Sequence, residues 1–183
     1  MTYRQQLREL AFGTHGVITT TQAEREGVPA VELRKLAARG ALTQLGRGVY
    51  RMNEAPAGPL DEFAQAVALV GGEAVLADEA VLAALDLAQV NLRRVRVATS
   101  RRVRAKLPKT VEVVQQTVPA GDRDFIDGVP AMTLEKALLG AHGRVMTERL
   151  VDAAHRAVQR GLLAKDAETR VVAALQDMGS RER

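Results

Sequence analysis

Apolar residues first recur at helical spacing. Tyr3, Leu7, Leu10 and Ala11 share one face of a helix, and Gly13 to Gly16 end it. Val17 and Ile18 then read as a short extended link. Thr21-Gln22-Ala23-Glu24 has the form of a capping box and predicts a second helix starting there, closed by Gly27 after barely two turns. Pro29 suits the first turn of a third helix, where its missing N–H costs nothing; that helix runs to about Arg39 and stops at Gly40. Leu42 to Leu45 and Val49 to Met52 alternate like strands around a Gly46-Arg47-Gly48 tip. Three helices, the last two joined tightly at Gly27-Val28, then a hairpin: this is the order of a winged helix-turn-helix.

Residues 53–59, with two prolines and a glycine, form the one clear linker. Beyond it, Leu60 to Val70 reads as an amphipathic helix and Ala74 to Leu87 as another. Val95 to Ala98 and Val111 to Val114 are rich in β-branched residues and read as strands. Phe125 to Pro130 has the look of a hairpin or strand end. Helices follow from Thr133 to about Ala141, Thr147 to Gln159, and Asp166 to Met178. The expected fold class is α+β. A winged helix-turn-helix domain over residues 1–55 precedes a larger mixed helix and sheet domain over residues 59–183.

The third predicted helix carries the chemistry. On a wheel at 100° per residue, Ala30, Leu33, Leu36 and Ala37 face one way. Val31, Arg34, Lys35 and Ala38 face the other, with Arg39 and Glu32 at the margin. A helix entering the major groove needs such a narrow stripe, small where backbones approach and cationic where base edges or phosphates lie. Arg34 suits bidentate pairing with guanine, and Val31 suits contact with a thymine methyl. Thr21, Gln22 and Arg51 are further candidates for DNA contact. Arg47 at the glycine-flanked tip suits a phosphate or the minor groove, while Tyr50 is expected to pack beneath the wing. A merely solvated cationic helix is the bland alternative; the continuous order of capped helix, tight turn, basic helix and Arg-tipped hairpin favours DNA binding.

The chain has 183 residues, of which 46% are hydrophobic and 3% aromatic, so Leu, Val, Ala and Ile must build the core. It has no cysteine, which rules out disulfides and thiolate metal sites. No run reaches the length of a membrane span, and the first ten residues lack a signal-peptide apolar stretch, so a cytoplasmic protein without membrane contact is expected. The net charge of +4 is unevenly placed. Residues 60–92 carry no Lys or Arg, whereas 93–109 carry no acid and include Arg93, Arg94, Arg96, Arg101, Arg102 and Arg104. This second basic surface admits two readings: a contact for phosphates, RNA or an acidic partner, or a polar sheet face offset by the preceding acids. No aromatic residue interleaves, so base stacking is not supported.

Catalysis finds little footing. His15, His142 and His155 lack metal-ligand spacing. Asp122, Asp124 and Asp127 read as a solvated turn more readily than as a metal site. No nucleophile elbow occurs. No enzyme activity, metal or cofactor is expected.

The stretch from Gly16-Val17-Ile18-Thr19 through Leu33-Arg34-Lys35-Leu36 to Gly46-Arg47-Gly48-Val49-Tyr50-Arg51 resembles the winged-helix start of the AbiEi-type antitoxins. Ala74 to Leu87 and Gly128 to Leu139 resemble later family segments, with Gly140 standing where the family has an Asp. The resemblance implies a type IV toxin–antitoxin regulator that binds inverted repeats in double-stranded operator DNA, as monomer or homodimer, and represses its own operon. It further implies a nucleotidyltransferase-like toxin as a possible partner. An alternative is an interaction module that neutralises the toxin directly through residues 59–183.

Overall fold

A computed structural model describes residues 1–88, 90 and 92–181. The chain opens with α1 (Tyr3–Phe12), which buries Leu7 and Ala11 and begins at a Thr2–Gln5 capping box. Next come β1 (Val17–Thr19), α2 (Thr20–Arg25), α3 (Ala30–Ala38), β2 (Leu42–Gly46) and β3 (Val49–Met52). The three strands form one antiparallel sheet in the order β1-β3-β2. Two sequence expectations need correction here. Val17-Ile18 is no mere link: it pairs with β3, Ile18 opposite Tyr50. The capping box of α2 lies two residues earlier than expected, at Thr19 and Gln22, whose side chains each accept from the other's backbone N–H. Threonines at 19, 20 and 21 offer three candidate caps; the one that ends a strand is used, because its extended backbone already suits the cap position. Leu7, Ile18, Ala23, Val28, Leu33, Leu42, Tyr50 and Met52 close into one buried cluster.

The remainder contains α4 (Asp61–Val70), β4 (Val75–Leu76), α5 (Glu79–Ala84), β5 (Val95–Thr99), β6 (Val111–Gln115), β7 (Arg123–Ile126), β8 (Val129–Met132), α6 (Leu134–Gly140), α7 (Thr147–Gln159) and α8 (Lys165–Arg181). Its five-stranded sheet has the order β6-β5-β4-β8-β7. The β4–β8 and β5–β6 pairs are parallel; β4–β5 and β7–β8 are antiparallel. The Asp127-Gly128 turn of the β7–β8 hairpin has positive φ at both positions, as a two-residue turn matching strand twist requires.

The predicted helix from Ala74 to Leu87 is a strand followed by a short helix. Val75 and Leu76 are both fully buried although they point to opposite faces, so β4 is a central strand covered on both sides. A continuous apolar run is the signature of such a strand and is easily read as a helix. Asp78 turns the chain between β4 and α5 at φ 53°. Its carboxylate, nearly buried, accepts from Arg96 Nε at 2.9 Å and Arg144 Nη2 at 2.7 Å. It also sits where a side chain at Gly140 would go: a Cβ there would meet Asp78 Oδ1 at 2.0 Å. The glycine at position 140 thus makes room for a carboxylate supplied from the turn between β4 and α5.

Direct contacts join the winged helix to α4 and to the β7–β8 turn of the five-stranded sheet. Arg51 Nη2 pairs with Asp61 Oδ2 at 3.2 Å. His15 Nε2 lies 2.7 Å from the Asp127 carbonyl oxygen. Leu69 of α4 presses on the wing at Gly46, where a Cβ would lie 2.6 Å from its Cδ2.

Candidate nucleic-acid interface

The helix-turn-helix is set by the residues that stop α2 and start α3. Gly27 takes φ 77°, a left-handed conformation that glycine adopts without cost. Val28 then folds back, its N–H donating to the Ala23 carbonyl at 2.8 Å and its side chain fully buried. Pro29 occupies the N-cap of α3 rather than its first turn, in an extended conformation that delivers the chain into the helix. Leu33 is completely buried, and Leu36 and Ala37 pack against the same cluster. Helical periodicity then fixes the opposite face: Val31, Arg34, Lys35, Ala38 and Arg39 are all exposed. Val31 keeps 43% of its surface open, an unusual position for a valine on a helix that has a core to face.

Charge on this face is mostly uncommitted. Lys35 Nζ pairs with Glu32 Oε1 at 2.8 Å one turn away, a solvent-screened contact that yields readily. Among the described residues, Arg34, Arg39 and Arg47 form no ion pair with a carboxylate. Arg47 is exposed at the tip between β2 and β3. The tip is tied to the start of α2, where the Thr20 N–H donates to the Gly48 carbonyl at 2.8 Å. Of the two tip glycines only Gly48 has positive φ; Gly46 is needed for the closeness of Leu69, not for its backbone conformation. Tyr50 is buried beneath the wing, as expected.

Several candidate residues lie elsewhere. Arg51 is turned into the seam: besides Asp61 it donates to the carbonyls of Met52 at 3.0 Å and Ala55 at 3.3 Å, so its guanidinium is spent within the protein. The Gln22 side chain is occupied by the α2 capping box, whereas Thr21 is exposed. Arg96 does not belong to a basic surface. Its side chain is only 15% exposed and pairs with Asp78 and, at 2.6 Å, with Glu112. Arg94 lies just before the start of β5. It lies with Arg93 beside Glu79, Glu112 and Arg144 in a small separate pocket. Arg101, Arg102 and Arg104 are exposed on the loop between β5 and β6, and none makes a side-chain ion pair among the described residues. The cationic segment is thus split three ways by the fold.

Arg25 escaped the sequence reading. It is exposed at the end of α2 and lines the same cleft as Arg47. Its signal was present, a cation immediately before the turn, but only the tertiary position of the wing makes it relevant. Among the described residues no group of three His, Asp or Glu side chains is placed to hold a metal ion. No described helix is long and apolar enough to cross a membrane.

Among curated proteins, nothing matches this sequence. The crystal structure of RV2827C protein from Mycobacterium tuberculosis is similar over 95% of this chain and 82% of that chain, at 16% identity and a TM-score of 0.44. Residues 5–53 match the model of a family described as transcriptional regulator, AbiEi antitoxin. The matched segment runs from the first turn of α1 to just past the last strand of the wing. The part of the chain similar to the AbiEi antitoxin transcriptional regulators is therefore the winged helix built above, residues 5–53.

Proposed function

We propose that the protein is a sequence-specific antitoxin regulator that represses its own toxin–antitoxin operon from the cytoplasm. Residues 1–55 form the DNA-binding domain and residues 59–183 the antitoxin domain, which antagonises a nucleotidyltransferase-like toxin. The observation that carries this reading is the exposed stripe of Val31, Arg34, Lys35 and Ala38 on a helix whose other side is anchored by Leu33. Presented to the major groove, Arg34 reaches guanine O6 and N7 while Val31 meets a thymine methyl. Ala38 leaves the far end of the stripe narrow, so the helix can sit deeply. Arg39, Arg47 and the exposed Thr21 face phosphates on either side, which positions the helix without reading sequence. Arg101, Arg102 and Arg104 add sequence-independent attraction further along the duplex. Inverted repeats are met by one copy per half-site.

The test is a gel shift of the full chain on the DNA upstream of its own gene. Replacing both Arg34 and Lys35 with alanine should weaken operator binding by at least ~1–3 kcal/mol, since one bidentate base contact carries that much discrimination. Unchanged affinity in the double variant would remove α3 from the reading role.

A further inference from the structure

A cleft of about 520 Å³ lies between the winged helix and the five-stranded sheet. Its volume falls within the range of small-molecule sites, which favour domain junctions. One wall is the start of α2 with the wing; the other is α4, the Gly71-Gly72 turn and the β7–β8 hairpin. Part of the floor is apolar and made of small side chains, with Val49, Val67 and Val129 buried there and Ala64 and Ala68 on α4 lining it at a spacing of four residues, while Thr14, Thr19 and Thr20 add polar groups on the winged-helix side. Arg25 and Arg47 line the winged-helix side, neither engaged in an ion pair among the described residues. Among the described residues no acidic side chain lines the cleft. Arg101 lies along the opposite rim, its guanidinium carbon 3.8 Å from where a Cβ on Gly72 would be. Uncompensated cations above an apolar floor select one class of occupant: a small organic anion whose carboxylate, sulfonate or phosphate meets the arginines while its hydrocarbon body covers the alanines and valines.

We infer that this cleft binds a small organic anion with an apolar body, and that the bound anion competes with DNA for Arg47. The competition rests on the DNA-binding reading above; the site itself does not. Arg47 is the wing-tip cation, and an anion paired with it in the cleft withdraws it from the phosphate backbone. Because the cleft is walled by both parts of the chain, occupancy also fixes the wing against α4.

Titration of the full chain with 8-anilinonaphthalene-1-sulfonate, an anion with an apolar fluorescent body, tests the site directly. Saturable binding of one dye per chain is expected. Filling the floor with Ala64→Leu plus Ala68→Leu should weaken it at least about tenfold, and Arg25→Glu plus Arg47→Glu should do the same. The second pair sits on exposed positions and keeps the test decisive if the first does not fold. An upstream operator duplex should displace the dye. Dye affinity unchanged in a folded variant of either pair, or the absence of saturable binding, overturns the site. Dye lost in both pairs but not displaced by bound duplex overturns the competition alone. A wild-type chain that binds dye in the cleft yet shifts no duplex overturns the DNA-binding reading, and the competition with it, while leaving the anion site standing.

Discussion

Single residues here are defined by what stands opposite them. Arg34 and Arg96 are both arginines in cationic surroundings, yet one is exposed without an ion pair among the described residues and the other is held between Asp78 and Glu112. An interior guanidinium with two carboxylates has no charge left for a polyanion. Arg144 completes the same cluster through Glu79 at 2.9 Å. Burial works against its charge, but the hydrogen bond it donates to Glu79 and the nearby carboxylates outweigh burial and raise its pKa. Gly140 is the tightest steric constraint in this cluster. Gly140→Ala should lower stability by about 1–3 kcal/mol, because the new methyl group must displace the Asp78 carboxylate from two arginines. Urea unfolding followed by circular dichroism measures this; an unchanged midpoint would mean that Asp78 moves aside freely.

Elements were legible in proportion to how far local pattern alone decides them. The helix α7 falls where its apolar spacing put it, since Leu150, Ala153, Ala154 and Ala157 make an uninterrupted buried stripe. The outward face of α3 was legible for the same reason. Short buried strands were not: two apolar residues at Val17-Ile18 or Val75-Leu76 have no period to read, and only a neighbouring strand gives them a role. The fate of Arg96 was equally hidden, because Asp78 and Glu112 lie 18 and 16 residues away in sequence. The α7–α8 pair also carries a pH signature. Glu168 is buried between the helices, and hydrogen bonds from Lys165 first and His155 second hold its carboxyl below the ordinary range. A depressed carboxyl stabilises the fold fully above its unfolded value and loses that contribution as pH falls through the folded value. The stability difference between wild type and Glu168→Gln should therefore shrink as acidification below about pH 5 protonates the carboxyl. A difference independent of pH in urea melts would contradict this assignment.

At the scale of the whole molecule, the winged helix does not hang from a loose tether. Arg51–Asp61, His15–Asp127 and the packing of Leu69 on Gly46 brace it against α4 and the β7–β8 turn. Such bracing fixes where α3 and the exposed β5–β6 loop present their cations relative to each other, and it creates the cleft between the winged helix and the α4 and β7–β8 side of the molecule. On the proposed function, DNA recognition is divided: α3 would supply discrimination among bases, and the scattered cations would supply attraction to any duplex. Competition binding separates the two. Fluorescence anisotropy with labelled operator, challenged by unlabelled operator or by a scrambled duplex, gives the specificity ratio for wild type and for Arg34→Ala. The account predicts that the variant loses about tenfold or more of this ratio while its affinity for scrambled duplex changes little. A ratio untouched by the substitution, or an equal loss on both duplexes, would contradict the assignment of α3 as the reading helix.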